Sequence, residues 1–252
     1  LRVVVAPLAS MAPVCIVTSL GHRVENPSRN RTILIGLIRD EKNPLSTRFE
    51  LRSPNPKSNK YLVMATSYLA MLDGIKASLK AEKTPLELEK ALSKEYGEET
   101  FYLEKDRAYR SEENVYKAFT KEERDKYFGK PPETVWESVC SFEEHPEKLE
   151  VITKHGIFDG ITIESYKQAV IAQWAMELHN RIIPNVMDRV RECRKCHADN
   201  DCTDLDLLNW SKIQELRVYL GQDRIGKDSL LTRIKIALDE GKYQLASDLQ
   251  KE

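Results

Sequence analysis

Arg48, Glu50 and Arg52 alternate with Phe49 and Leu51 in the run Thr47-Arg48-Phe49-Glu50-Leu51-Arg52-Ser53-Pro54. With the strand period of two, the three charges share one face and the two apolar side chains share the other. Two guanidiniums on one face suit carboxylate or phosphate oxygens, which their planar forks grip bidentately. A carboxylate between them either pairs with them or ligates a hard cation. The same alternation also describes a wet strand face whose charges only pair with one another. Residue types alone leave both readings open.

A second group lies near the C-terminus, where Cys193-Arg194-Lys195-Cys196-His197 is followed by Cys202. Thiolates and imidazole are zinc ligands, so Cys193, Cys196, His197 and Cys202 form a possible zinc set. Val186, Val190, Cys193 and His197 also continue a helical stripe, which equally makes these ordinary thiols at a helix end. The Cys-x-x-Cys-His run formally matches a c-type haem attachment motif, but that chemistry requires export and nothing else in the sequence suggests it. Gly221 to Asp228 nearly spells a phosphate-binding loop. Asp228 stands where Ser or Thr is needed and would repel phosphate, and the preceding residues read as helix, so the match is rejected.

The chain has 252 residues, 41% hydrophobic and 31% charged, with a formal net charge of −1. That composition fits a soluble globular protein rich in surface helix. The balanced charge gives no pull toward nucleic acid or an anionic membrane. Continuous apolar runs fall short of the ~18 residues of a membrane span. Five dispersed cysteines suit a reducing compartment, and the expected location is cytoplasmic. The chain opens on Leu1 and a strand-like apolar run, which reads as a piece of something longer.

These residues need elements to position them. Residues 1–20 read as one or two short strands, Ile33 to Ile38 as a buried strand, and Arg48 to Arg52 as its returning partner. From Asn59 the spacing of Tyr61, Leu62, Ala65, Leu69, Leu72, Ile75 and Leu79 predicts a largely buried helix, with Met64, Tyr68 and Met71 widening its stripe. Thr84-Pro85-Leu86-Glu87 spells a capping box that opens another helix. Thr120 starts a further one, and a short helix is expected around Val135-Trp136. A long helix follows from Thr162 through Leu178, to be broken or kinked at Pro184. The tail reads as three more helices, including Leu205 to Leu220 and Leu230 to Leu238.

The run from Arg48 to Leu62 resembles the C-terminal active-site strand of glutamine synthetases. That pattern is Arg-x-Glu-x-Arg-x-Pro-(Asp/Asn)-Pro-x-x-Asn-x-Tyr-Leu, followed by a helix carrying Leu-Asp-Gly-Ile. Here Asn59-Lys60-Tyr61-Leu62 and Leu72-Asp73-Gly74-Ile75 stand in those places. Arg29-Asn30-Arg31-Thr32 is similar to the family's Arg-Asn-Arg-(Ser/Thr), and Ala12-Pro13-Val14 to its Ala-Pro-Val. Several motifs in the right order carry far more weight than a single short one. The resemblance covers residues 11–80, with weaker echoes to about 175.

The resemblance implies an α+β fold, predominantly helical, in which antiparallel strands of the catalytic domain are followed by packed helices. Residues 1–160 would be the C-terminal portion of that domain and 161–252 a helical extension. It implies a glutamate–ammonia ligase that makes glutamine through γ-glutamyl phosphate, with ATP and Mg2+ or Mn2+. Its partners would be glutamate, ammonia and ATP within a ring-shaped homo-oligomer, with no nucleic acid and no membrane. Arg31 and Arg48 then fall on ATP-contacting positions, Glu50 on a metal ligand, and Arg52 on the clamp for the substrate carboxylate. Tyr116, in Asn114-Val115-Tyr116, is similar to a loop where some bacterial members are adenylylated, although its surroundings match poorly.

Departures from the family pattern are equally specific. Met11 replaces the glutamate that precedes Ala-Pro-Val and helps deprotonate ammonium. Gly36 and Val5 stand where arginines are usual. The family's other metal carboxylates and histidines lie upstream of this region, and Glu50 alone cannot hold a catalytic cation. The chain is therefore expected to be an incomplete fragment, inactive alone, with apolar surface exposed where the rest belongs. The alternative is a non-catalytic nucleotide- or amino-acid-binding or regulatory module derived from the family.

Overall fold

The computed structural model describes residues 18–20, 32–38, 42–46, 48–52, 54, 58–100, 102–111, 113–198 and 200–252. Strands β1 (Thr18–Leu20), β2 (Ile33–Ile38) and β3 (Arg48–Leu51) form one sheet in the order β1-β2-β3. The rest of the described chain is predominantly helical. β2 and β3 run antiparallel, with Ile35 opposite Leu51, Gly36 opposite Glu50 and Ile38 opposite Arg48. β1 runs parallel to β2, so the expectation of antiparallel strands does not hold for that pair. A parallel return needs a crossover of roughly a dozen residues, and the chain between β1 and β2 is long enough to supply it.

The chain divides into two compact units. The first takes the described residues up to Glu133 together with Cys140–Gly160. Its longest element is α1 (Lys60–Lys80), which starts because the Asn59 side chain accepts from the backbone of Tyr61 and Leu62. α2 (Pro85–Leu92) opens on the expected capping box, Thr84 with Glu87, and has proline at its first turn. α3 (Val115–Ala118) and α4 (Lys121–Phe128) enclose a small core around Val115 and Phe128. Phe119 and Phe128 meet edge to face there with centroids 5.3 Å apart. α5 (Val135–Glu144) spans both units, and α6 (Pro146–Thr153) packs against α1.

α1 departs from the sequence reading. Thr66, Leu69 and Asp73 are its buried residues, whereas Tyr61, Met64, Tyr68, Met71, Leu72, Ile75 and Leu79 are exposed. The physical cause is a polar group on the covered face. Asp73 receives hydrogen bonds from the Tyr102 hydroxyl and from Lys154 Nζ, which fixes that face inward. By length and composition α1 is also the one described helix apolar enough to cross a membrane. Its buried Asp73, paired with the partly exposed Lys154, and its exposed Lys76 fit a helix packed on one side by protein.

Tyr102 carries a left-handed backbone, φ 67°, which costs a residue with a Cβ about 1 kcal/mol or more. Its bond to Asp73 holds it there. Burial, and then that bond, push the Tyr102 phenol up to about 12 from 10.0. A raised value means that the contribution to stability is complete below pH 10 and is lost as pH rises through 12. Subtracting the alkaline titration of Tyr102→Phe from that of the unaltered chain should reveal a phenolate forming near pH 12. A difference centred at the ordinary tyrosine value would show the contact to be absent in solution.

The second unit comprises Thr134–Val139 and Ile161–Glu252. It holds α7 (Gly160–Glu177), α8 (Ile183–Glu192), α9 (Asp204–Gly221), α10 (Leu230–Asp239) and α11 (Tyr243–Lys251). Its core gathers Trp174, Leu178, Ile183, Leu230, Ile234, Ala237, Ala246 and Leu249. Pro184 does not end the long helix. A π-helical turn at Leu178–Ile182 joins α7 to α8, with Ile183 N–H donating to Leu178 O. Widening the helix by one residue relieves the clash that a proline ring makes with the preceding turn. Three tail helices are present, two of them at the expected places, Leu205 to Leu220 and Leu230 to Leu238.

Candidate functional site

β3 is short, and its neighbours decide where its charges go. Arg48 is exposed, and its guanidinium donates to Ser46 O at 3.0 Å. Glu50 and Arg52 lie on the same side of the strand and meet, Arg52 Nη2 to Glu50 Oε2, at 3.3 Å. The Arg52 side chain is 16% exposed and that of Glu50 41%, so the pair sits at the edge of solvent. At that exposure the ion pair itself contributes about 0–1 kcal/mol. Phe49 does not tuck behind the charges as the alternation implies, since it is 69% exposed.

The register adds what spacing could not show. Gly36 stands directly opposite Glu50. Opposed residues in an antiparallel pair share a face, with side chains about 5 Å apart. Arg31, Met11 and Val5 lie outside the described residues. The adjacent Thr32 is described, and its hydroxyl accepts from Val115 N–H at 3.4 Å. That bond brings the Asn114-Val115-Tyr116 stretch beside Thr32, a proximity with no signal in the sequence. Tyr116 is 44% exposed, with the Arg124 guanidinium 5.0 Å from its ring centroid.

Two motif residues turn out to hold the scaffold. Asn59 caps α1, and Asp73 anchors it. Burial would raise the Asp73 carboxyl, but the bonds from Lys154 and Tyr102 outweigh it and hold the group below its ordinary value. His155 also faces this carboxyl closely enough to lower it further.

The Cys193, Cys196, His197 and Cys202 set is not brought together. α8 ends at Glu192, and Cys193 is extended, so the helical stripe stops before His197. Cys193 and Cys196 are exposed, with Sγ directed at Arg189 O (3.4 Å) and Arg194 O (3.5 Å). Among the described residues, no group of three or more His, Cys, Asp or Glu side chains is placed to hold a metal. His197 instead lies near Asp206, whose carboxyl is lowered first by the Thr203 hydroxyl and backbone and then by His197. In the Gly221 to Asp228 loop, Asp223 accepts from Ser229 N–H at 2.8 Å and from the Thr232 hydroxyl at 3.0 Å. That carboxylate sits at the N-terminal end of α10, where a phosphate would have to bind.

The described fold and strand face thus define a predominantly helical α+β protein with an arginine paired to a carboxylate on β3. Residues 21–100 match the family model described as glutamine synthetase, catalytic domain, which supports a relationship of this stretch to that family. The matched stretch is less than half of the chain and contains β2, β3, α1 and α2. No curated protein and no solved structure matches the chain.

Proposed function

We propose that this chain supplies one wall of a glutamate–ammonia ligase site, where glutamine forms from glutamate, ammonia and ATP through γ-glutamyl phosphate. The observation that carries this reading is the Glu50–Arg52 pair on β3, inside the stretch that matches the catalytic domain. Arg52 grips the α-carboxylate of glutamate by a two-pronged contact. Arg48, with Arg31, faces the phosphates of ATP. Glu50 gives one oxygen ligand to the Mg2+ or Mn2+ that neutralises the polyphosphate.

A divalent cation needs several oxygen ligands, and a single carboxylate is an incomplete set. The remaining ligands would come from outside the described residues, and the chain by itself is expected not to be a working ligase. The assembled enzyme is a ring-shaped homo-oligomer working in the cytoplasm, and residues 161–252 extend it with helices.

The test is γ-glutamyl hydroxamate formation from glutamate, hydroxylamine and ATP. The purified chain should give none above background, and turnover by it would refute the incomplete-site reading. Binding of ATP or glutamate with no turnover in any assembly would instead favour a non-catalytic module.

A further inference from the structure

The second unit holds a cavity of about 420 Å3 between α9, the loop at residues 222–228 and the start of α10. Small-molecule sites span about 300–1,000 Å3, so the space takes a compact organic molecule. Val218, Tyr219 and Leu230 give its lining an apolar surface. The Tyr219 hydroxyl donates to Glu252 Oε2 at 2.8 Å, and Arg233 Nη1 donates to the same oxygen at 3.3 Å. Arg233, which also lines the cavity, thus has its own counter-charge.

Two other cations of the lining have none. Arg224 and Lys227 close a four-residue turn, with Arg224 N–H donating to Lys227 O at 2.9 Å and Lys227 N–H to Arg224 O at 3.0 Å. Gly226, at φ 74°, supplies the left-handed third position that this turn requires. Residues so paired share a face with side chains about 5 Å apart, and like charges placed there repel. Among the described residues neither side chain has a hydrogen-bond or ion-pair partner. Asp223, beside Arg224 in the sequence, is committed to Ser229 and Thr232. Two uncompensated cations held together on an apolar cavity are arranged for an anion.

The other end of the cavity differs. Glu215 lines it well before Gln222 on the same helix, about 10 Å away at 1.5 Å per residue. Next to it Gln214 Nε2 is buried without a partner among the described residues. Asp228 also belongs to the lining, beside Lys227. These two carboxylates repel a ligand with several negative charges, which disfavours a nucleotide or a dicarboxylate. We infer that the cavity binds a small organic monocarboxylate, its carboxylate between Arg224 and Lys227 and its apolar body over Val218, Tyr219 and Leu230. The guanidinium supplies a two-pronged contact, and covering the apolar lining adds affinity. The site lies outside residues 21–100 and stands whether or not the ligase reading does.

The experiment titrates the full chain with phenylbutyrate, reading saturation transfer to its aromatic protons by NMR. Saturable binding at one site is expected, and Arg224→Gln combined with Lys227→Gln should weaken it about tenfold or more. Both side chains are exposed, so circular dichroism of the double variant should match the unaltered chain. Phenylbutanol, which keeps the body and lacks the charge, should bind about tenfold more weakly and ignore the double variant. Carboxyphenylbutyrate, with a second carboxylate at its far end, should also bind more weakly, and Glu215→Gln should restore it. The site is overturned by absence of saturable binding, by binding indifferent to the double variant, or by equal binding of acid and alcohol. Tighter binding of ATP than of phenylbutyrate would overturn the ligand class.

Discussion

Trp174→Ala should cost the second unit about 3–5 kcal/mol. Trp174 is 7% exposed within the core that joins α7 to α10 and α11. Its ring meets Tyr243 edge-on with centroids 6.1 Å apart, and Tyr243 in turn lies 5.5 Å from Trp136. Alanine removes the largest side chain in that cluster and leaves a cavity that α7 cannot close, because the π turn and His179–Asp239 at 3.2 Å fix its C-terminal end. The indole N–H is buried without an acceptor among the described residues. Phenylalanine discards that unpaired donor and keeps a ring, so Trp174→Phe should cost only about 1–2 kcal/mol. Hydrogen exchange in α7 and α10 measures both. Equal losses for Ala and Phe would mean that packing around the ring does not govern this unit.

Asp73→Ala is expected to loosen the first unit by about 2–3 kcal/mol. The Asp73 side chain is 11% exposed and that of Lys154 34%, so the loss falls short of a fully buried pair. The variant leaves the Tyr102 hydroxyl without its acceptor and the left-handed Tyr102 backbone without its tether. Acid should reproduce the effect. Because folding lowers the carboxyl from 3.8, its contribution is present above that pH and is lost as pH falls through the lower folded value. Protection of α1 amides should therefore fall below about pH 4 in the unaltered chain and show no such step in Asp73→Ala. A native-like α1 in Asp73→Ala at neutral pH would show that the cluster does not orient the helix.

The amino-acid sequence by itself determined the local chemistry. Asn59, Thr84 and Thr120 start helices because their side chains satisfy orphan N–H groups within three residues, a purely local matter. The motif run through Arg48, Glu50, Arg52 and Leu72-Asp73-Gly74-Ile75 likewise carried the resemblance that the match over residues 21–100 supports, since order and spacing survive without coordinates. Tertiary structure alone decided the rest. It set Gly36 across from Glu50, joined Thr32 to Val115 over 83 positions, and separated the thiols that the sequence grouped. Above all, it turned α1. Hydrophobic periodicity reports that a helix is apolar nearly all round, but not which side is covered. That choice was made by one buried carboxylate and its partners, Tyr102 at 29 positions away and Lys154 at 81, which no local pattern connects.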